Sequence, residues 1–268
     1  MALMKLNEDN YYSREANLAY MSVSQYKQFA GTYGKRACEF KAMEELAGRW
    51  EDGWTDALLI GSYVDSYFEG SLDRFLSEHP ELFKGDGMLY AKYAKAEQII
   101  KRVERDAYFM KFMSGRKQVI MTGELFGADW KIKMDSYHEG IAIVDLKVMA
   151  SIREVKWVRD LGYLEWPRYW GYDIQGAVYQ EIVRQNTGQK LPFYLASVSK
   201  EKEPDMEIFQ IPQNFLDEAL ELVRSNMPRI LQVKEYGAEP DRCELCDCCR
   251  YNRVLTEPIS ISELTGFA

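Results

Sequence analysis

The stretch WKIKMDSYHEGIAIVDLKVM, residues 130–149, decides how the rest of the chain is interpreted. It predicts two β-strands joined by a tight turn at His138-Glu139-Gly140, because both arms alternate with the period of two that is typical of strands. On the second arm, one face carries Ile141, Ile143, Asp145 and Lys147, and the other carries Ala142, Val144, Leu146 and Val148. Burying an unpaired carboxylate or ammonium costs several kcal/mol, so this pattern predicts a use for the two charges at a sheet edge.

Pairing the two arms across a three-residue turn predicts their register. Tyr137 would lie opposite Ile141, and Lys133 opposite Asp145. Asp135 and Asp145 would then be diagonal neighbours on one face, with Cα atoms roughly 7–8 Å apart. Two carboxylates at that spacing could share one Mg²⁺, which prefers oxygen ligands at about 2.1 Å. The alternative interpretation is an Asp-Leu-Lys on a solvated surface strand with no function.

The composition limits the class of protein. The chain has 268 residues, 47% of them apolar, and a net charge of −8. It lacks a run of 18 apolar residues and a signal-peptide pattern at its start, so we expect a cytoplasmic protein. The negative charge weakly disfavours a protein that coats nucleic acid, but it is compatible with an enzyme that has a local basic groove. Basic residues do bracket the hairpin: Lys131, Lys133, Lys147, Arg153, Lys156, Arg159 and Arg168.

The remaining sequence predicts an α/β fold in which helices come first, followed by a central mixed sheet, a helix, a hairpin and a closing helix. We expect a single domain over residues 1–268, with N-terminal helices at about 20–115 and a Cys-rich tail at about 240–255. The predicted helices are a first one from an N-cap at Ser24 to about Gly34, a second over 38–47, then 55–69, a long one over 90–114, one from Tyr172, and 213–237. The predicted strands outside the hairpin are 119–126, 191–199 and 206–211, and residues 160–169 are expected to form an aromatic loop.

Two of these helices carry polar residues on one face. In the helix over 55–69, Asp65 and Glu69 are four positions apart, and Gly61 permits the close approach of another backbone. Read alone, this segment favours an ordinary packed helix with two solvated acids. In the later helix, the side chains of Tyr172, Gln175 and Tyr179 share a face because they are spaced at i, i+3 and i+7.

Four signals therefore occur in a fixed order along the chain. They are Gly61-Ser62-Tyr63-Val64-Asp65, then Asp135, then Asp145-Leu146-Lys147, then Gln175 with Tyr179. This ordered set resembles the RecB-type branch of the PD-(D/E)xK nuclease superfamily, and most of all its phage and prophage exonuclease VIII (RecE-like) group. The resemblance spans roughly residues 20–255. It implies a restriction-endonuclease-like core, a mixed central sheet flanked by helices.

The resemblance also implies a metal site. Where the family has a metal-binding His, this chain has Asp65, which can also ligate Mg²⁺ or Mn²⁺. Asp135 and Asp145 would complete the ligand set. Lys147 would orient the nucleophile or neutralise charge in the transition state. Val148 stands where the family usually has Thr, which removes a hydroxyl from the neighbourhood of the site.

Substrate contacts follow from the same resemblance. It implies that Gln175 and Tyr179 lie near the scissile phosphate, and that Tyr172 occupies a position where the family often has an aromatic residue. Among the basic residues that bracket the hairpin, Lys131 and Lys133 are candidates for binding DNA.

The function implied by the resemblance is metal-assisted hydrolysis of a DNA phosphodiester. Such an enzyme would digest one strand of linear duplex DNA from an end, beside a phage single-strand annealing protein, and a homo-oligomer is plausible by the same comparison. Two alternatives remain open. One is a DNA-binding module on a decayed nuclease fold, and the other is an unrelated metal- or cluster-binding protein whose Asp and Lys residues lie on its surface.

Five cysteines form a separate signal. Cys243, Cys246 and Cys249 have the spacing of metal ligands, with Cys248 as an extra residue and Cys38 far upstream. Some RecB-type nucleases hold a [4Fe–4S] cluster with one early and three late cysteines, which Cys38 and the tail resemble. A cluster, a zinc ion and free thiols all remain open.

Overall fold

The computed structural model describes residues 4–261 of the chain. Its helices are α1 (Arg14–Ala19), α2 (Val23–Ala30), α3 (Glu39–Leu46), α4 (Asp56–Glu69), α5 (Leu72–Glu78), α6 (Ala94–Glu104), α7 (Ala107–Phe112), α8 (Trp166–Tyr169), α9 (Tyr172–Thr187), α10 (Gln213–Lys234) and α11 (Asp247–Tyr251). Its strands are β1 (Val119–Leu125), β2 (Ala128–Met134), β3 (Ser136–His138), β4 (Ala142–Met149), β5 (Val155–Val158), β6 (Gly162–Glu165), β7 (Phe193–Ser199) and β8 (Met206–Gln210).

The centre of the fold is a mixed sheet with the strand order β3-β4-β7-β8. β4 runs parallel to β7, whereas β3 and β8 are antiparallel to their neighbours. β1 and β2 form a separate antiparallel pair, as do β5 and β6. Among the described helices, none is long and apolar enough to cross a membrane.

The two faces of β4 belong to two different cores, as its alternation predicts. Ile143 packs with Trp130, Phe193 and the apolar side of α9 and α10. Ala142, Val144 and Leu146 pack on the opposite face with α4, α6 and α7. The sheet therefore lies between two helical layers, and candidate site residues lie on one helix of each layer, α9 and α4.

The predicted hairpin has the right faces but the wrong register. His138 pairs with Ala142 and Tyr137 pairs with Ile143, so the three turn residues are 139–141 rather than 138–140. The Ile141 N–H donates to the carbonyl of His138 at 2.9 Å, which closes this turn. Moving the turn by one residue changes the partner of each β3 residue by two positions along β4. Side chains alternate with a period of two, so every side chain stays on its predicted face.

The first arm of the hairpin is two strands rather than one. β2 ends at Met134 and pairs with β1, whereas β3 begins at Ser136 and pairs with β4. The break falls at Asp135, whose Oδ2 accepts a 2.9 Å hydrogen bond from the N–H of Leu146. A carboxylate thus takes the place of a ladder hydrogen bond where the chain passes between sheets.

Several element boundaries differ from those predicted. Ser22 rather than Ser24 caps α2, because its Oγ accepts from the N–H of Gln25 at 3.3 Å. The single helix predicted over 90–114 is divided into α6 and α7, since the carboxylate of Asp106 caps a new helix at the N–H of Phe109. The loop predicted over 160–169 contains β6 and α8.

The close approach that Gly61 would permit does not occur. No atom outside its own helix lies within 4 Å of the place where a Cβ would be. The helical glycine that packs closely against another element is instead Gly176 in α9, where a Cβ would lie 2.6 Å from the ring of Phe193.

Candidate active site

A cleft of about 620 Å³ opens where the edge of the central sheet meets α2, α4 and α9. β4 brings Asp145 and Lys147 to it, because both lie on the face that also carries Ile143. Its lining includes the predicted site residues Asp65, Lys131, Lys133, Asp135, Asp145, Lys147, Tyr172, Gln175 and Tyr179. The structure therefore brings together residues that are up to 114 positions apart in the sequence.

Asp145 is the most buried acid of the cleft, with 2% of its surface exposed. Its Oδ2 forms an ion pair with the ammonium of Lys147. Its Oδ1 accepts a 2.6 Å hydrogen bond from the side-chain amide of Gln175. Both carboxylate oxygens thus have a partner, which fixes the orientation of the side chain.

Asp65 and Asp135 complete the group of acids. Asp65 reaches the cleft from the last turns of α4, and its buried Oδ1 has no hydrogen-bond partner among the described residues. Asp135 uses one oxygen to accept from the N–H of Leu146. Glu69, one helical turn beyond Asp65, also lines the cleft. The two acids read from the sequence as solvated surface residues are therefore part of the cleft wall.

The charges in this cleft change one another's protonation. Burial raises the pKa of Asp65 to about 7, the negative charges of Glu69 and Asp145 add to that effect, and Lys147 opposes it. Burial and the charge of Asp145 raise the pKa of Asp135 well above its usual value. Burial acts to lower the pKa of Lys147, but the carboxylate of Asp145 outweighs it and raises that pKa. Lys147 is therefore a cation throughout the neutral range.

Lys27, which the sequence did not predict as a site residue, also lines this cleft. Its ammonium lies 4.7 Å from the ring centroid of Tyr172 and donates to the carbonyl of Trp170 at 3.0 Å. The ammonium of Lys147 lies 5.1 Å from the same centroid, so two cations share one aromatic ring. Burial and the positive charge of Lys147 lower the pKa of Lys27 to about 7. No signal in the sequence links Lys27 to residues more than 100 positions later.

Tyr11 and Tyr12 were also missed. Both line the cleft, and the Lys133 ammonium lies 5.6 Å from the ring centroid of Tyr11 and 4.5 Å from that of Tyr12. Lys131 has only 1% of its surface exposed and donates to the carbonyl of Tyr11 and to the side chain of Asn17. Its ammonium holds the N-terminal segment in place, which argues against a direct contact between Lys131 and DNA.

The remaining predicted residues have specific partners. The hydroxyl of Tyr179 donates to the carbonyl of Lys133 at 3.1 Å, which ties α9 to β2. Several of the outer basic residues form ion pairs with acids, namely Arg153 with Asp205 and Glu207, Lys156 with Glu154, and Arg168 with Glu218. These pairs reduce the basic track expected around the hairpin.

The donor set of the cleft fits a hard divalent cation. Asp65, Asp135 and Asp145 offer carboxylate oxygens, the ligands that Mg²⁺ and Mn²⁺ prefer. The unpartnered Oδ1 of Asp65 is the observation that points most directly to a cation. A buried carboxylate oxygen without a hydrogen-bond donor costs free energy, and a bound cation would offset that cost. Burial and the neighbouring acids raise the pKa values of Asp65 and Asp135 even though Lys147 opposes them, and a bound cation would offset both causes.

The cysteines form a second cluster away from this cleft. The sulfur atoms of Cys38, Cys243, Cys246 and Cys249 all lie within 4.8 Å of one another. Cys248 is buried beside them but turns its sulfur towards the side chain of Asn252, 3.8 Å away. The early and late cysteines expected to meet in space therefore do so.

The fold and the cleft together define an α/β protein with the arrangement of acids and lysine seen in PD-(D/E)xK domains. A family model described as a PDDEXK-like domain of unknown function (DUF3799) matches residues 22–252. The chain belongs to this family. The resemblance to the PD-(D/E)xK superfamily and the restriction-endonuclease-like fold expected from it are confirmed.

Two solved structures are similar to this chain. A crystal structure of a protein from Eubacterium rectale, named "Putative exonuclease", is 68% identical over 98% of both chains, with a TM-score of 0.96. A second, SSO0001, is 13% identical over 76% of this chain and 88% of its own, with a TM-score of 0.29. No curated protein matches the chain.

Proposed function

We propose that this protein is a Mg²⁺- or Mn²⁺-dependent deoxyribonuclease that hydrolyses phosphodiester bonds of linear duplex DNA from an end. The observation that carries the proposal is the group of three carboxylates, Asp65, Asp135 and Asp145, beside the ammonium of Lys147 in one cleft. The family of PDDEXK-like domains and the similar protein named as an exonuclease support the same class of reaction.

In this proposal the three aspartates would hold the cation. When bound, such an ion would lower the pKa of a water molecule and polarise the phosphoryl oxygens. Water attacks the phosphorus, the bond to the leaving oxygen breaks, and the products are a phosphate monoester and a hydroxyl end. The three acids lie on α4, at the β2–β3 break and on β4, so a rigid scaffold preorganises them.

Lys147 would act through its charge. Its ammonium forms an ion pair with the buried carboxylate of Asp145. An ammonium in a buried site stabilises the negative charge that develops on the phosphoryl oxygens. The ring of Tyr172 lies against the ammonium groups of both Lys147 and Lys27, and would help to keep them in the cleft.

Two further groups would position the substrate. Gln175 holds the carboxylate of Asp145, so it would act on the metal site through that ligand. Lys133, with Tyr11 and Tyr12 against its ammonium, lines the cleft and would meet a DNA phosphate. A homo-oligomer and a single-strand annealing partner remain proposals that rest on the resemblance to the exonuclease VIII group.

The test compares linear and covalently closed circular duplex DNA of the same sequence, each with Mg²⁺ or Mn²⁺ and with EDTA. We expect the linear DNA to be degraded and the circle to survive, and cleavage to be lost with EDTA, Asp145→Ala and Lys147→Ala. The matched control is Asp217→Ala, an exposed acid on α10. Cleavage that survives Asp145→Ala would remove the site assignment. Tight DNA binding without cleavage by the wild-type protein would instead identify a decayed nuclease fold.

A further inference from the structure

The four clustered cysteines come from opposite ends of the chain. Cys38 immediately precedes α3, whereas Cys243, Cys246 and Cys249 belong to the segment that leads into and forms α11. Cys38 and Cys249 are 211 positions apart, yet their sulfur atoms are 3.5 Å apart. The sulfur of Cys38 also lies 3.8 Å from that of Cys246, and the sulfur of Cys243 lies 3.9 Å from that of Cys249.

These separations distinguish between the two metal groups that four cysteines commonly hold. Zn–S bonds of about 2.3 Å in a tetrahedron set the sulfur ligands about 3.8 Å apart. A [4Fe–4S] cluster places a cube of iron and sulfide between its cysteines, which sets their sulfur atoms roughly 6 Å apart. Because all four sulfur atoms lie within 4.8 Å of one another, the space between them fits one ion and is too small for the cube.

The backbone around the sulfur atoms is arranged for thiolates. The N–H of Lys41 donates to the sulfur of Cys38 at 3.4 Å. The N–H of Cys246 donates to the sulfur of Cys243 at 3.3 Å, and that of Cys249 to the sulfur of Cys246 at 3.4 Å. Hydrogen bonds from the backbone to ligand atoms orient the ligands and stabilise their negative charge.

We propose that Cys38, Cys243, Cys246 and Cys249 bind a single zinc ion as four thiolates, and that this chain does not hold the [4Fe–4S] cluster of the nucleases it resembles. A tetrahedral set of four sulfur ligands without an open position is a structural zinc site. Cys248 is excluded as a ligand, because its sulfur contacts Asn252 instead. The ion is structural, so its presence is independent of whether the protein cleaves DNA.

The zinc ion would join the C-terminal tail to the helical region that forms one wall of the cleft. Other contacts also join the C-terminal part of the chain to α3. Arg229 on α10 forms an ion pair with Glu39 on α3, and the guanidinium of Arg242 lies 3.9 Å from the ring centroid of Phe40. α3 packs against α2, the helix that carries Lys27 into the cleft. Loss of the ion should therefore loosen α3 and the tail first.

The test is metal analysis of the full chain, purified without oxygen from cells supplied with both iron and zinc. We expect one zinc ion per chain, no acid-labile sulfide, and an X-ray absorption spectrum with four sulfur neighbours at about 2.3 Å. Cys246→Ser should lose the zinc, whereas the matched control Cys248→Ser should keep it. Four irons with sulfide, a single iron, or a folded metal-free protein would each overturn the proposal, as would zinc that Cys246→Ser retains.

A second measurement covers the case in which Cys246→Ser does not fold. Wild-type protein is treated with a zinc chelator, and its melting temperature is followed together with hydrogen exchange of residues 38–46 and 243–251. We expect the melting temperature to fall, protection to be lost first in these two segments, and added Co²⁺ to restore it with the visible bands of tetrahedral cobalt thiolate. Unchanged melting after complete removal of zinc would contradict a structural role.

Discussion

The side-chain amide of Gln175 on α9 donates a 2.6 Å hydrogen bond to Oδ1 of Asp145 on β4. The two residues are 30 positions apart, and both side chains are buried. The other oxygen of Asp145 faces Lys147. The amide of Gln175 therefore determines which lone pairs of the carboxylate remain available to a metal ion. Hydrogen bonds of this kind, from a neighbouring residue to a metal-binding carboxylate, orient such carboxylates in proteins.

Gln175→Ala should therefore impair catalysis without removing any ligand or charge. We expect kcat on linear duplex DNA to fall by about 10- to 100-fold, the usual cost of losing an outer partner of a metal ligand. DNA affinity measured with Ca²⁺ in place of Mg²⁺ should change little, since Lys133 and Lys27 are untouched.

The matched control is Gln189→Ala, an exposed glutamine beyond the end of α9. It should keep full activity. If Gln175→Ala were as active as this control, the hydrogen bond to Asp145 would have only a packing role.

The sequence was sufficient to predict the residues of the candidate site that lie on one regular element. Alternation placed Asp145 and Lys147 on a common face of β4, and helical spacing placed Tyr172, Gln175 and Tyr179 together, because both periods are local properties of the backbone. The cores on the two faces of β4 followed from the same alternation.

What the sequence could not supply depends on contacts between distant segments. Lys27 joins the cleft only because α2 packs against α9, and Lys131 is buried only because the N-terminal segment covers it. The break at Asp135 is equally invisible, since a single hydrogen bond to the N–H of Leu146 decides it. The distance between sulfur atoms, which separates zinc from a cluster, is also a property of the folded chain alone.

Asp65→Asn should remove most of the stabilisation by metal and leave the metal-free fold intact. The substitution removes a charge that burial and neighbouring acids disfavour, so the metal-free melting temperature should stay equal or rise. In the wild-type protein, Mn²⁺ at about 100 times its Kd should add about 2.7 kcal/mol to the free energy of unfolding. In the variant most of this gain should disappear, as measured by thermal unfolding with and without Mn²⁺.

Two further variants complete the comparison. Asp73→Asn changes an exposed acid on α5 and should keep the full Mn²⁺ effect. Asp65→His introduces the ligand found in the resembling family and should retain part of it. An Mn²⁺ effect in Asp65→Asn as large as in the wild type would exclude Asp65 as a ligand.

The stability of the fold should depend on pH through Asp173, which is 7% exposed at the start of α9. Burial raises the pKa of this carboxyl to about 6, against the opposing effects of the N–H of Ile174 and the charges of Arg168 and Lys27. The raised pKa means that the folded state favours the neutral carboxyl. The contribution of Asp173 to the free energy of unfolding is therefore complete below about pH 4 and is lost as the pH rises through 6. Asp173→Asn stays neutral, so its advantage over the wild type should grow by about 2–3 kcal/mol between pH 4 and pH 7.

Urea unfolding at a series of pH values measures this difference. Asp217→Asn provides a control of opposite sign, because hydrogen bonds from Lys190 and Gln213 lower the pKa of that exposed carboxyl. Its removal should slightly destabilise the protein above about pH 4, and this effect should fade as the pH falls below that value. A constant difference between Asp173→Asn and the wild type across the range would contradict the assignment.

Two glycines in helix interiors should respond to alanine in opposite directions. Gly61 in α4 has open space around the position of a Cβ, so Gly61→Ala should gain about 0.5–1 kcal/mol from the lower conformational freedom of alanine. In Gly176→Ala the new methyl would lie 2.6 Å from the ring of Phe193 and 2.8 Å from Leu216, both fully buried. Overpacking of this kind costs about 1–3 kcal/mol, which exceeds the helix gain.

Urea unfolding of the two variants should therefore give free energies of unfolding on either side of the wild-type value. Gly176→Ala should also slow DNA cleavage, because a displaced α9 moves the neighbouring Gln175 away from Asp145, whereas Gly61→Ala should leave the rate unchanged. A stabilised Gly176→Ala protein would mean that Phe193 and Leu216 can move aside at little cost. In that case the packing of α9 against the sheet would not be what fixes the distance between Gln175 and Asp145.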